Sequence, residues 1–570
     1  MKKQAQFNTL TTNFIDERYS YNLYPRPTFK RDSFYNLNGE WDLSIKQKKG
    51  MLNKVGKIEV PYPIESALSK IARQINKGDV LLYEKEFCLP SGFNKGKVLL
   101  HFGAVDQVCE VFVNGKLVVK HEGGYLPFSA DITGALEDKN ILKVCVKDDL
   151  SFDYGYGKQK VKRGGMWYTK VSGIWQTVWI ESVPKTHIES IKCYPTLNSV
   201  KIVVLGGKEK KTLTILESGE EYVFKGNEIT IDIKNPKLWS PDTPFLYHFT
   251  LSDGEDKVSS YFALRTIETK TINGKGYIAL NNEPIFLHAV LDQGYFPDGI
   301  YTPKSPEGYV FDILKMKELG FNTLRKHAKL EPELFYSLCD ELGILVMQDF
   351  VNCGKYNFLI DTVLPTIGFK KGITHRASKK RRNQFESDAV KTIEFLHSHP
   401  SVCYYTIFNE GWGQYDADSI YSLLKSRDTS RIFDTTSGWF FKHNSDVDSH
   451  HIYFKKIKLK AKSLRPLILS EFGGYSYKLD EHSFNPHETY GYKHFYSKDE
   501  FESGLKELYL NQIVPAIKLG LCGAVLTQLS DVEDETNGLY TYDRKVCKID
   551  IKVMREISNT VYSAFNSSLS

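Results

Sequence analysis

The sequence predicts a multidomain protein in which two successive β-sandwiches are followed by a (β/α)8 barrel. Short strand-like segments between Gly, Asn, Asp and Pro turns fill roughly residues 20–266. After about residue 268, segments with helical periodicity alternate with apolar runs. The chain has 570 residues, of which 41% are hydrophobic and 25% charged, so it has enough apolar material for several cores.

The first predicted sandwich occupies residues 1–184. Its clearest element is a hairpin, because the strand Cys109–Val113 runs into Asn114-Gly115 and Leu117–Val119 returns from that turn. Further strands are predicted at Val98–Phe102, Ile141–Val146 and Thr177–Ile180. Short strands with frequent turn signals are typical of an all-β sandwich.

The second predicted sandwich occupies residues 185–267, where the same strand spacing continues. Its strands are expected at Ser199–Leu205, Thr212–Leu216, Ile229–Ile233, Tyr247–Leu251 and Ser259–Leu264. This number of strands is enough for one more small β-sandwich.

The remaining residues, 268–570, predict the barrel. The helical segment Glu333–Leu342 stops at Gly343 and is followed by the apolar strand Ile344–Met347. Further helix and strand cycles are Tyr309–Glu318 with Asn322–Leu324, Phe385–His397 with Val402–Phe408, and Asp418–Ser426 with Ile432–Thr435. In a (β/α)8 barrel the residues just after each strand face the active site.

Two glutamates stand at such strand ends. Tyr404–Phe408 runs directly into Asn409-Glu410, and Pro466–Ser470 runs into Glu471. Two carboxylates in one cavity can divide the chemistry, because one stays protonated to donate to a leaving group while the other stays ionised to attack carbon. The alternative is that each Glu pairs with a basic residue at the barrel rim.

Composition excludes several classes of function. The net charge of +6 is slight for this length, so no nucleic-acid partner is indicated. No apolar run approaches the roughly 20 residues of a membrane span, and no apolar segment follows the two N-terminal lysines, so a cytoplasmic location is expected. Nine cysteines without a Cys-x-x-Cys pair predict reduced thiols.

A set of short motifs covers nearly the whole chain. They are Arg26-Pro27, Leu37–Trp41, Gly123–Phe128, Val171–Gln176, Leu238–Pro241, Leu264–Ile267, His399–Val402 leading to Asn409-Glu410, and Ser470–Gly473. In combination they resemble glycoside hydrolase family 2, the β-galactosidase and β-glucuronidase group. The resemblance implies that the three parts are a jelly-roll sugar-binding domain, an immunoglobulin-like sandwich and a catalytic TIM barrel.

The resemblance also implies residue roles. Glu410 is expected to be the general acid and base, and Glu471 the nucleophile of a retaining double displacement. Asn409 would bind the sugar 2-hydroxyl. Tyr453 would hydrogen-bond the nucleophile, the alternative being a packing role, since buried Tyr is common in barrels. Arg325, at a strand end, would help to keep Glu471 ionised.

The other candidate sugar contacts each have a structural alternative. His327 is either a sugar contact or a structural hydrogen-bonding group, and Asp292 and Asp298 either bind sugar hydroxyls or form turns. Trp412 and Trp439 are either stacking platforms or core residues. Gln528 corresponds to the place of a late-barrel Trp in the large β-galactosidases.

The residues expected to choose the substrate are where the chain departs from the family it resembles. The familiar β-glucuronidases hold the uronate with an Asn-x-Lys pair, whereas the corresponding residues here are Glu535-Thr536-Asn537. A Glu there would repel a carboxylate. We therefore expect an exo-acting, β-galactosidase-like enzyme on a carbohydrate substrate, without metal or organic cofactor, and by resemblance a homo-oligomer. The alternatives are a β-glucosidase, β-mannosidase or β-glucuronidase, or a non-catalytic carbohydrate-binding protein.

Overall fold

The first sandwich packs two antiparallel sheets face to face. The computed structural model describes residues 7–367, 377–440, 444–453, 455–459 and 463–569. In sheet order, six strands are Leu52–Val60, Gly39–Lys46, Val80–Phe87, Asn140–Lys147, Val108–Val113 and Lys116–Glu122, and four are Tyr35–Asn36, Val178–Val183, Lys97–Phe102 and Phe128–Asp131. The predicted hairpin is confirmed, with positive φ at Asn114 and Gly115.

Two short strand pairs lie outside these two sheets. They are Val105–Asp106 with Gly173–Ile174, and Gln159–Lys160 with Tyr168–Thr169. Alternate residues of the long strands are buried, as a half-covered sheet requires. Their buried side chains, including Trp41 and Tyr83, form one core between the sheets.

The second sandwich has seven strands in two antiparallel sheets with a separate core. In sheet order these are Ile188–Pro195, Ser199–Gly206 and Glu228–Asp232, packed against Glu221–Lys225, Lys210–Ile215, Tyr247–Ser252 and Lys257–Phe262. A small sheet of Ile267–Ile272, Lys275–Leu280 and Glu283–Pro284 follows. The two-sandwich part of the predicted fold class is confirmed.

The barrel has eight parallel strands, which confirms the third part of that prediction. They are β1 (Leu287–Asp292), β2 (Thr323–Lys326), β3 (Leu345–Asp349), β4 (Val402–Thr406), β5 (Ile432–Asp434), β6 (Asp448–Ile452), β7 (Leu467–Gly473) and β8 (Leu521–Thr527). The sheet order is β5-β4-β3-β2-β1-β8-β7-β6. In the described ranges no ladder joins β5 to β6, so the barrel is nearly closed.

Helices surround these strands. The α-helices are Glu307–Glu318, Glu333–Leu342, Leu364–Thr366, Lys379–Leu396, Ala417–Arg427, Lys498–Leu508, Val514–Lys518 and Ile551–Leu569, with π-helical turns at Leu359–Val363 and Tyr509–Ile513. Outside the barrel sheet, Tyr475–Tyr477 pairs with Lys493–Phe495.

Among the described helices, none combines the length and apolar character that crossing a bilayer requires. All nine cysteines are free thiols, as predicted.

The N-terminal segment, residues 7–31, runs across the other parts of the molecule. The backbone N–H of Asn8 donates to the carbonyl of Phe484, and Thr28 donates to Glu333. Lys30 pairs with Ser259 of the second sandwich. This segment therefore links the barrel with the second sandwich. The domain boundaries at 184/185 and 267/268 stay predictions.

Candidate active site

Glu410 lies in the turn that follows β4. Its backbone is left-handed, with φ 53° and ψ 21°, a conformation that costs a non-Gly residue about 1–2 kcal/mol. The turn is held because the Glu410 N–H donates to the carbonyl of Ser437 at 2.9 Å and the Trp412 N–H donates to the carbonyl of Asn409 at 2.8 Å. The side chain of Glu410 keeps 14% of its surface exposed.

Glu471 lies within β7, where the register against both neighbouring strands is irregular. Such irregularities re-aim side chains at functional sites. Oε1 of Glu471 accepts from Nη1 of Arg325 at 3.1 Å, and Oε2 accepts from the Tyr453 hydroxyl at 2.5 Å. The structure thus brings Arg325 and Tyr453 onto different oxygens of the Glu471 carboxylate.

His451 stands between the two glutamates. Its Nδ1 lies 3.0 Å from Oε1 of Glu410 and 3.4 Å from Oε2 of Glu471. One possible ligand atom from each of the three side chains lies within 4.8 Å of the other two. These three described residues are therefore close enough together to hold a metal ion. Sequence reasoning missed His451. The available signal was its position two residues before Tyr453, since alternate residues of a strand face the same side.

Arg325, at the end of β2, organises the base of the site. The side chain is fully buried. It donates from Nε to Oδ1 of Asp349 at 3.0 Å, from Nη2 to Oδ1 of Asn409 at 2.8 Å, and from Nη1 to the carbonyl of Ser470 at 2.7 Å. Because Oδ1 of Asn409 is committed to Arg325, its Nδ2 group is the part left to donate to a ligand.

Asp349 also binds His327, whose Nδ1 lies 2.6 Å from Oδ2. Burial raises the pKa of Asp349, but the neighbouring Arg325 and His327 outweigh burial and bring the pKa to about 2. His327 therefore has a structural hydrogen bond, and its contact with sugar stays a prediction.

The electrostatics around Glu471 favour the charged form. Burial alone raises the pKa of a carboxyl. The charges of His451 and Arg325 outweigh that effect and hold the pKa of Glu471 well below its ordinary value. An ionised carboxylate is the form that can attack carbon.

Gln528 follows β8 and binds neighbouring side chains. Its Nε2 donates to Oε2 of Glu535 at 3.1 Å and to Oδ1 of Asn537 at 2.8 Å, while its Oε1 accepts from Gln293. The same Oε2 of Glu535 also accepts from the hydroxyl of Tyr168, a residue of the first sandwich. Burial raises the pKa of Glu535, and the negative charge of Glu471 raises it further.

The two predicted aspartates have other partners. Asp292, the last residue of β1, accepts from Nζ of the buried Lys326 at 2.5 Å and from the Gly294 N–H at 2.8 Å. Oδ2 of Asp298 accepts from the N–H of Thr12 at 2.9 Å and from its hydroxyl at 2.8 Å. These contacts favour the structural interpretation of both residues, and their sugar contacts stay predictions.

The two predicted tryptophans differ in exposure. Trp412 is buried, its Nε1 donates to the carbonyl of Gly354, and its ring lies edge-on to Trp167 of the first sandwich at 5.2 Å. Trp439 is half-buried, and its ring lies 6.2 Å from that of His451. Trp439 is therefore the better placed of the two to offer a ring face beside His451 and the two glutamates, although stacking on sugar stays a prediction for both.

Comparison with known proteins gives both β-galactosidases and putative β-glucuronidases among the curated relatives. The β-galactosidase of Thermoanaerobacter pseudethanolicus is 30% identical over 291 residues, which are 47% of this chain and 39% of that protein. The β-galactosidase of Leuconostoc mesenteroides is 24% identical over 494 residues, 77% of this chain and 44% of that protein. The chain thus spans less than half the length of either relative. The solved structure of the β-D-glucuronidase of Dictyoglomus thermophilum has the same fold, with a TM-score of 0.74 at 19% identity, covering 94% of this chain and 98% of that one.

Family models match the three parts of the chain in order. Residues 37–184 match the sugar-binding domain of glycosyl hydrolases family 2, residues 186–265 match a second model of that family, and residues 304–537 match its TIM barrel domain. The last match contains Glu410, Glu471 and the side chains of Arg325, His451 and Tyr453 that hydrogen-bond them. The chain belongs to glycosyl hydrolases family 2.

Proposed function

We propose that this protein is a retaining exo-β-glycosidase in which Glu471 is the nucleophile and Glu410 the general acid and base. One observation carries the proposal: an oxygen of each carboxylate lies within 4.8 Å of the other, with His451 between them. Retaining enzymes need their carboxyl groups about 5–5.5 Å apart, whereas inverting enzymes need about 6.5–9.5 Å to admit a water. The short separation supports retention.

The reaction we propose has two steps. Glu471 attacks the anomeric carbon as the glycosidic bond breaks, and Glu410 gives a proton to the leaving oxygen. Water then attacks the glycosyl-enzyme ester, Glu410 takes the proton of that water, and Glu471 leaves as a carboxylate. Arg325 favours the charged form of Glu471 in the free enzyme, and the Tyr453 hydroxyl orients the carboxylate through Oε2. Asn409, whose Oδ1 is fixed by Arg325, would donate from Nδ2 to the 2-hydroxyl.

We propose an uncharged sugar, and first a β-galactoside, as the substrate. The two curated relatives described above are named β-galactosidases. Glu535 supports an uncharged sugar, because its carboxyl is held beside Gln528 and Tyr168 and interacts electrostatically with Glu471. A uronate carboxylate brought to that place would meet a group of its own sign.

A panel of nitrophenyl β-glycosides tests the proposal. Galactoside, glucoside, mannoside and glucuronide are compared by kcat/KM, with the galactoside expected to be the best substrate. The anomeric form of the first product, followed by NMR, should be β. An α product would contradict retention, and a preference for the glucuronide would contradict the choice of sugar. Measurable sugar binding without any hydrolysis would favour a carbohydrate-binding protein.

A further inference from the structure

The hydrogen bonds around His451 fix which of its ring nitrogens carries a proton. The Ser470 hydroxyl donates to the carbonyl of His450 at 3.3 Å, and the Ser437 hydroxyl donates to Oγ of Ser470 at 3.1 Å. A hydroxyl has a single hydrogen. Ser437 therefore has none left for Nε2 of His451, which lies 3.2 Å from its Oγ. Nε2 must carry the proton and donate it to Ser437.

The other ring nitrogen faces two acceptors. Nδ1 lies 3.0 Å from Oε1 of Glu410 and 3.4 Å from Oε2 of Glu471, and Oε2 already accepts from Tyr453. If Nδ1 carried no proton and both carboxylates were ionised, three hydrogen-bond acceptors would face one another. The side chain of His451 has no exposed surface, so water would not separate them. Unpaired buried acceptors of this kind are costly. One proton must therefore lie on Nδ1 or on the glutamate that faces it.

We infer that His451 and Glu410 share one proton, and that His451 stores the proton which Glu410 uses as a general acid. In one form the imidazolium faces two carboxylates. In the other, the Nδ1–H bond has broken, an O–H bond has formed on Oε1 of Glu410, and the imidazole keeps its Nε2–H. The charge of the three groups is −1 in both forms, so the transfer needs no further reactant.

Among the residues that the structure describes, the other charged groups named here do not compete for this proton. Asp434, at the end of β5, interacts electrostatically with His451. Its two oxygens accept from Ser449 at 3.0 Å and from Tyr404 at 2.9 Å. Arg325 and Tyr453 donate hydrogen bonds to Glu471 and so stabilise its charged form. Glu410 is thus the carboxylate that remains to exchange a proton with Nδ1.

The proton that His451 and Glu410 share should affect how kcat/KM depends on pH. Two groups that share one proton lose it as a pair, so the pH dependence belongs to the pair and not to either residue. His451→Asn keeps a side-chain N–H for Glu410 but cannot titrate. The basic limb of kcat/KM should then move to lower pH by at least one unit, while His450→Asn, the same change on the opposite face of β6, should leave it in place. An unmoved limb in His451→Asn would overturn the inference.

A second measurement does not depend on catalysis, although the catalytic use of the proton rests on the proposed function. The full-length protein with 15N-labelled histidine is titrated by NMR, and His451→Asn identifies the His451 signals. Nε2 should remain protonated while Nδ1 titrates, and Glu410→Gln should lower the midpoint by at least one unit. An unchanged midpoint, or a bare Nε2, would overturn the inference. If no aryl glycoside is hydrolysed, the proposed function fails, but this titration still decides whether the proton is shared.

Discussion

Arg325 and Asp349 form an ion pair in which neither side chain has exposed surface, with Nε of the arginine 3.0 Å from Oδ1 of the aspartate. Each partner also has a second charged or polar contact in the candidate active site, since Arg325 binds Glu471 and Asp349 binds His327. The pair therefore couples the stability of the barrel to the position of Glu471.

Replacing Asp349 with Asn should destabilise the protein in a pH-dependent way. The pKa of Asp349 is about 2 in the folded protein against an ordinary value of 3.8, which corresponds to about 2 kcal/mol of stability. Because the folded-state pKa is the lower one, this contribution is complete above about pH 4 and is lost as the pH falls toward 2. The free energies of unfolding of wild type and variant, measured with urea, should differ at pH 7 and become equal at low pH. The exposed Asp480→Asn is the control, and an equal difference at every pH would contradict the account.

Glu471→Gln should abolish turnover of activated aryl β-glycosides. The amide cannot form the glycosyl ester, and loss of a nucleophile costs about 10⁴-fold or more in kcat. Stopped assays with nitrophenyl galactoside measure this loss. Glu481→Gln, an exposed residue, should keep wild-type activity, and both variants should unfold at similar temperatures. Residual activity above one per cent would contradict the assignment of Glu471.

Glu410→Ala should instead discriminate between leaving groups. General acid catalysis is worth about 10²–10⁴-fold when the leaving oxygen needs a proton. We expect kcat/KM to fall by that factor for methyl β-galactoside and by less than about tenfold for the dinitrophenyl compound. Azide, a nucleophile that needs no base, should restore turnover and give a β-glycosyl azide. Equal losses on both substrates would argue that Glu410 is not the acid.

Local patterns in the sequence were sufficient to predict the elements but not the contacts between them. The Asn114-Gly115 hairpin and the apolar strands that lead to Glu410 and Glu471 are encoded by neighbouring residues, and the structure has those elements, although β7 continues through Glu471 to Gly473. The bond from Tyr168 to Glu535 joins residues 367 positions apart. No periodicity within a window of ten to twenty residues reports such a pairing. His451 was missed for a related reason, because its role depends on the two carboxylates and Ser437 converging from other strands.

Asp298→Ala should affect stability rather than substrate binding. It removes the acceptor of two hydrogen bonds from Thr12, and a buried donor left unpaired costs about 1–3 kcal/mol. The N-terminal segment should then be cleaved faster by added protease, while kcat and KM stay within about twofold of wild type. Thr12→Val, which removes the hydroxyl bond alone, should have an intermediate effect. A large rise in KM without faster cleavage would favour the sugar-binding role predicted from sequence.

Glu535→Gln should relax the selection against uronates. If the Glu535 carboxylate repels a sugar carboxylate, its removal should raise kcat/KM for nitrophenyl β-glucuronide by about tenfold, equivalent to about 1.4 kcal/mol. The kcat/KM for the galactoside should fall by less than tenfold. Burial raises the pKa of Glu535, so the group becomes charged over a higher pH range than usual. The wild-type preference for galactoside over glucuronide should therefore increase with pH, and the variant should lose that dependence. Tyr168→Phe removes a hydrogen bond to Glu535 without removing its carboxyl and should give no gain on the glucuronide. If the ratio of kcat/KM for galactoside to that for glucuronide does not change in Glu535→Gln, Glu535 does not select against uronates.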